Sequence, residues 1–229
     1  MAIEKRQILG EVTGTLGDIV RRKRYGKIVV SRRPSKYRKS KSKEAVEGRT
    51  SFALSVAFAK TVNSIPALKQ IWQIAKLEGV VAYNRIIKYN KQYISDSSLT
   101  SQNIITPKGH NIIFPVFILS EMKFQITIEA NAEPLLSFIK QPFYLHIIIY
   151  AFNPKVKMKK YFEVISISSI VDQHPANDIF SIEIDVEIAK KRVLNQFNNV
   201  ICYAALSKTE GNKNEIFWTE TVSKQFDLD

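Results

Sequence analysis

The sequence predicts an α+β chain that opens on a basic arm, and three observations carry that expectation. The positive charge is gathered at one end, the apolar period is helical through the middle, and it becomes that of antiparallel strands from Asn103 onward. The 229 residues leave room for one large domain or two small ones, at roughly 100–200 residues each. A hydrophobic share of 45% is ordinary for a chain that buries a core. The expected organisation is a basic arm with a β-hairpin over 1–45, a helical pair over 46–95 and an antiparallel immunoglobulin-like β-sandwich over 96–229.

The arm is defined by charge. Residues 1–50 hold fifteen Lys and Arg against five Asp and Glu, whereas residues 101–229 hold thirteen against fourteen. Gly10, Gly14 and Gly17 punctuate the start, and two β-branched runs follow on either side of Tyr25-Gly26. Glycine supplies positive φ without steric cost, so this spacing predicts a hairpin over about 18–31. It is too small and too charged to be stable without a surface to lie on. The stretch from Ser31 to Lys43 has no acidic residue and one aromatic, so it cannot form a core and is expected to be extended.

From Glu44 the period changes to three and four. Phe52, Val56, Ala59 and Val62 predict one amphipathic helix, interrupted at Ser64-Ile65-Pro66. Ser64 is expected to cap a second helix, with Pro66 in its first turn, where a missing N–H is no loss. That helix carries Leu68, Ile71, Trp72, Ala75, Val80, Tyr83, Ile87 and Tyr89 on a broad stripe, weakened at Gly79.

Seven strands are expected beyond it: 111–119, 123–130, 143–152, 161–167, 179–188, 200–207 and 215–222. Phe124, Ile126 and Ile128 alternate with Lys123, Gln125, Thr127 and Glu129. Ile182, Ile184, Val186 and Ile188 alternate with Glu183, Asp185 and Glu187. Such alternation marks antiparallel strands with one wet face. Turn chemistry falls at Glu133-Pro134, Asn153-Pro154, 172–178 and Gly211-Asn212. One or two helical turns are expected over 189–195. Seven strands in about 100 residues suggest the two-sheet sandwich, without its Cys–Trp–Cys signature.

The chemistry-bearing residues are sparse. A single cysteine, Cys202, excludes an intrachain disulfide and a cysteine-based zinc site, and it reads as a small buried residue of a strand. His110, His146 and His174 stand apart from one another; His146 lies in a core-like strand and is expected to make a structural hydrogen bond. The glycines form neither a dinucleotide fingerprint nor a phosphate-binding loop, and no nucleophile elbow or spaced carboxylate pair stands out. The expectation is a non-enzymatic protein without cofactor or metal. The most apolar stretch, 143–152, is ten residues long, half of what a membrane helix needs, and no secretory signal is visible. A cytoplasmic protein without a membrane span is expected, with incorporation into a particle as a further possibility.

The segments ILGEVTGTLGDIVRRKRYGKIVVSRRPSK (8–36), RTSFALSVAFAK (49–60) and AYNRIIKYN (82–90) resemble an uncharacterised domain family common in Bacteroidetes. The matching positions are Gly10, Gly14, Gly17, Arg33, Pro34, Arg49, Phe52, Asn84 and Asn90, all within the first ninety residues. The second half matches only in being β-rich, and the arm is more basic than that family's pattern. The family carries no assigned activity, so the resemblance implies no catalytic residue and no substrate.

The arm is the one feature that requires a partner. Its candidate contact residues are Arg21, Arg22, Lys23, Arg24, Tyr25, Lys27, Arg32, Arg33, Lys36, Tyr37, Arg38, Lys39, Lys41 and Lys43. A structural subunit of a homo-oligomer or phage-like assembly, its arm reaching onto a neighbour, is the leading expectation. Sequence-independent binding of nucleic acid or another polyanion is the alternative, with phosphates neutralised by the cations and bases stacked on Tyr25 and Tyr37. An enzyme comes third.

Overall fold

Two residues with positive φ, Tyr25 (φ 51°) and Gly26 (φ 75°), turn the chain between β3 (Ile19–Arg24) and β4 (Lys27–Arg32) in a computed structural model of the protein. Positive φ at both central positions is the type I′ geometry, whose twist matches that of the flanking strands. The structure describes residues 2–3, 13–33, 39–75, 77–129, 140–156, 161–172, 179–210 and 215–228.

The chain divides into a unit of residues 1–45 and a unit of residues 46–229. In the first, the expected hairpin is the centre of a larger meander. β2 (Gly14–Leu16) joins β3 through a second two-residue turn at Gly17, φ 54°, and β1 (Ala2–Ile3) pairs with β4. The antiparallel order is β1-β4-β3-β2.

The second unit begins with helices. In α1 (Lys43–Ser64) the buried face is Leu54, Ser55, Phe58, Ala59 and Val62. This corrects the expected stripe: Phe52 is 56% exposed, because it lies two residues, about 200°, away from the Leu54–Phe58–Val62 row. The Ser64 hydroxyl donates to Thr61 O at 2.7 Å and so closes α1 instead of opening the next helix. α2 (Pro66–Ile74) starts on Pro66 after Ile65, with no side-chain cap.

The expected helical pair is three helices. The chain leaves helical geometry after Ile74, Gly79 adopts φ +128°, and α3 (Ala82–Lys91) starts afresh. Glycine is the residue that tolerates this backbone. Arg85 of α3 then caps the C-terminus of α2: Nη1 donates to Trp72 O, Gln73 O and Ala75 O at 2.7–2.9 Å, and Nε donates to Gly79 O at 3.0 Å. One guanidinium thus gathers the carbonyls of Trp72 and Gln73 at the end of α2 together with those of Ala75 and Gly79 in the loop that follows. Among the described residues no helix is long and apolar enough to cross a membrane.

The α+β class holds, with antiparallel sheets. β5 (Ile113–Ser120), β6 (Lys123–Glu129) and β9 (Ile179–Asp185) form one sheet in that order. The other has the order β11-β10-β7-β8, from β7 (Phe143–Pro154), β8 (Phe162–Val171), β10 (Phe197–Glu210) and β11 (Glu215–Trp218); β12 (Val222–Asp227) also pairs with β10. The last expected strand is therefore two, broken where Thr219 N and Oγ1 bond across to Leu206 O and N. Asn153-Pro154, expected as a turn, ends β7 with Asn153 at φ 57°. The other three expected turns lie wholly or largely outside the described residues. Ile182, Ile184 and Val186 are buried, but Ile188 is 71% exposed, because the strand ends at Asp185 and α4 (Ile188–Leu194) begins.

Two cores sandwich the larger sheet. Leu145, Ile147, Ile149, Val200, Cys202 and Ala204 face Phe124, Ile126, Ile182 and Ile184 of the smaller sheet. The alternate residues Ile148, Tyr150, Ile201, Tyr203 and Ala205 face Leu54, Phe58, Val62, Leu68, Trp72 and Ile86 of the helices. The layers are thus helices, sheet, sheet. Residues 46–95 and 96–229, read as separate segments in the sequence, share one apolar core.

Candidate functional site

The hairpin pairing fixes which cations share a face. Residues directly opposite in an antiparallel pair point the same way, with Cβ atoms about 4.5–5.5 Å apart. Val20↔Ser31, Arg22↔Val29 and Arg24↔Lys27 therefore make one face of the first sheet; Ile19↔Arg32, Arg21↔Val30 and Lys23↔Ile28 make the other. On the first face Arg22, Arg24 and Lys27 are exposed beside the half-buried Val20 and Val29. Arg24 stands directly across from Lys27, a like-charge pairing that disfavours the hairpin unless an anion lies near.

The second face differs. Arg21 and Ile28 are each only 6% exposed, while Arg32 reaches Asp18 at 3.8 Å. Arg21 is thus buried, which the alternation of cations along β3 did not reveal. Tyr25 stands at the tip of the turn, 64% exposed, and Lys23, Arg33, Lys39, Lys41 and Lys43 are exposed. Lys36, Tyr37 and Arg38 lie outside the described residues. Residues 1–45 hold fourteen Lys and Arg against four Asp and Glu; residues 46–229 hold twenty against seventeen.

The sequence reading did not find a polar groove on the helix side of the larger sheet. Its volume is about 580 Å³, and Gln70, Tyr144, His146, Ser166, Ser168, Glu187, Lys190 and Thr209 contribute to its lining. At its floor His146, 1% exposed, bridges three strands: Nδ1 lies 2.9 Å from Ser168 Oγ of β8 and Nε2 lies 2.8 Å from Ser207 Oγ of β10. The signal was present in the ISISSI run, where Ser166 and Ser168 fall on the face that Val164 and Phe162 turn to the helices.

Burial lowers the His146 pKa from 6.5 to about 4, so the ring is neutral at pH 7. One nitrogen donates and the other accepts, and both are occupied by seryl hydroxyls. Glu187 is engaged by Lys190 at 2.7 Å. The arrangement ties β7, β8 and β10 together and supplies a poor proton acceptor. His110 stacks on Phe217 at 3.9 Å between ring centroids, and His174 lies outside the described residues. Cys202 is buried, which pushes its thiol pKa up and keeps the thiolate scarce. Among the described residues no group of three or more His, Cys, Asp or Glu is placed to hold a metal ion.

No protein-family model matches the chain, and neither a curated protein nor a solved structure matches it.

Proposed function

We propose that the protein is a non-enzymatic structural subunit that assembles with further copies of itself, its N-terminal sheet docking on a neighbour. The observation that carries this reading is the mixed face of that sheet, where Val29 lies opposite Arg22 and next to Lys27, and Val20 lies next to Arg22. A tail that only neutralised charge would not need apolar residues interleaved at those positions. The outer face of the smaller sheet offers complementary chemistry: Glu183 on β9 and Glu129 on β6, with Asp185 paired to Lys123 at 3.7 Å and with exposed Ile179 and Ile118 beside them. Charge complementarity of this kind sets register and encounter rate, and the apolar residues supply the affinity.

A second reading is favoured by the Arg24↔Lys27 pair alone: a phosphate backbone would relieve the repulsion, and Tyr25 at the tip could stack on a base. Sedimentation of the nuclease-treated full chain decides between them. Assembly predicts species larger than a dimer at about 0.15 M salt, and their loss in Arg22→Gln/Arg24→Gln/Lys27→Gln with the circular dichroism unchanged. A chain that forms no such species, and binds single-stranded DNA with a log–log salt slope of about −0.7 per phosphate contact, establishes the second reading instead.

A further inference from the structure

Among the described strands, the edges of the second unit are defended, with one exception. β5 carries Pro115 and a register shift between Ile113 and Val116. β9 displays Glu183 and Asp185, β12 carries Lys224, and β11 is four residues long. Proline, irregularity, charge and brevity are the devices by which sheets avoid pairing with another chain. β8 has the least of them, a single charge at Glu163 near one end. It is the outermost strand on its side of the larger sheet, ten residues long, with unbroken register to β7 from Phe162↔Phe152 to Val171↔Phe143. It holds no Lys, Arg or Pro and one acidic residue, Glu163. No described strand pairs with its outer side, where about half of its residues direct backbone N–H and C=O groups.

We infer that β8 pairs antiparallel with β8 of a second copy about a two-fold axis, joining two larger sheets into one continuous sheet. An axis normal to the sheet keeps both helix layers on the same side, so residues placed opposite each other must belong to the same face. Phe162, Val164, Ser166, Ser168 and Ile170 face the helices, and Glu163, Ile165, Ile167, Ser169 and Val171 face the smaller sheet. Two central registers satisfy that condition. One sets Ser166 against itself, with Ile165 opposite Ile167 and Glu163 opposite Ser169. The other sets Ile167 against itself, with Ser166 opposite Ser168 and Glu163 opposite Val171. In both, Glu163 avoids its own copy, so the strand is self-compatible in charge.

Side-chain shape agrees. Ile170 is 59% exposed on the helix side of one end of β8. At the other end lies a groove of about 590 Å³ between α1 and β8, whose lining includes Lys60, Thr61, Phe162 and Val164. Ile170 of the second copy falls opposite Phe162 in the first register and Val164 in the second, at the lining of that groove in either case. An isologous seam closes after two copies, whereas docking of the N-terminal sheet on a neighbour is head-to-tail and extends. The two contacts are therefore independent.

The test uses the full chain with Ser166→Cys, alone and combined with Ser168→Cys, oxidised by diamide. Each bridge joins two thiols by loss of two electrons and two protons to the diamide, and requires Cα atoms about 4.4–6.8 Å apart. The single variant links in the first register and the double variant in either; Ser181→Cys on β9 is the control. Linked dimer forming at least tenfold faster than in the control, and loss of the sedimenting dimer in Ile170→Lys, supports the seam; Ile170 is already exposed, so that substitution leaves the fold intact. A wild-type chain without a dimer, or linkage no faster than the control in both variants, overturns it. Arg22→Gln/Arg24→Gln/Lys27→Gln is expected to stop at the dimer. Linked dimer with no effect of that triple variant refutes the docking of the N-terminal sheet and leaves the seam; the converse refutes the seam alone.

Discussion

His146 makes the stability of the second unit depend on pH, and the size of the effect follows from its surroundings. The ring is 1% exposed between Ser168 and Ser207, stacked at 6.0 Å on Tyr144, with Glu187 and Lys190 the charged residues lining the same groove. Its pKa is lowered from 6.5 to about 4 by desolvation. Between those values the unfolded chain binds a proton that the folded chain does not, so stability falls as pH drops through that window. Below about 4 both states are protonated and the loss levels off at about 3 kcal/mol. At pH 5 the loss from this residue is about 2 kcal/mol, or about 4–8 °C in Tm for a chain of this size.

The assay is urea denaturation of wild type and His146→Gln at pH 7.5 and pH 5. Glutamine keeps one donor and one acceptor for the two serines but does not titrate. Its absolute stability will be lower, because the amide fills less of the site. The difference between the two pH values, however, cancels every other titrating group. Wild type is expected to lose about 2 kcal/mol more than the variant. Equal losses in the two proteins would refute the burial of a neutral imidazole, and so would a smaller loss in wild type than in the variant.

Ile184→Asp is expected to unfold the second unit, since an unpaired carboxylate in the core between the sheets costs several kcal/mol. Glu183→Ala and Asp185→Ala should shift stability by less than about 0.5 kcal/mol, the exposed Asp185–Lys123 pair included; equal effects on the two sets, in thermal denaturation, would refute the face assignment. Gly79→Ala should destabilise by about 1–3 kcal/mol, because φ +128° is strained for any side chain and the new Cβ meets Arg85 Cγ at 2.9 Å. Arg85→Ala should cost about 2–3 kcal/mol by exposing the carbonyls at the end of α2, and a neutral result in urea denaturation would refute its capping role.

The strands of the smaller sheet were legible because each has one wet face. Phe124, Ile126 and Ile128 alternate with polar residues, and the buried positions are those the alternation picks out. β7 and β10 are different. From Leu145 to Ala151 and from Val200 to Lys208 every residue is buried, so these strands show no period from which a face could be assigned. What covers their second face is the helical segment about a hundred residues away in sequence, and no local pattern carries that pairing. The same limit explains α1: Phe52 and Val56 made a plausible stripe, but the sheet selected the Leu54–Phe58–Val62 row.

The cations show the limit at the site itself. Fourteen candidate contacts have equal standing in the sequence because all are basic or aromatic and all lie in one segment. Pairing of β3 with β4 separates them: the odd positions of β3 share a face with Ile28 and Val30, and Arg21 is buried there, while Arg22 and Arg24 join Lys27. Register is a two-valued variable, since slipping it by one residue exchanges the faces. Here the two-residue turn at Tyr25-Gly26 sets it, and that turn was readable. In the proposed docking, composition marks the segment, but the turn decides which three cations share the face. Moving the turn by one residue, at constant charge, should abolish the docking as completely as neutralising all three.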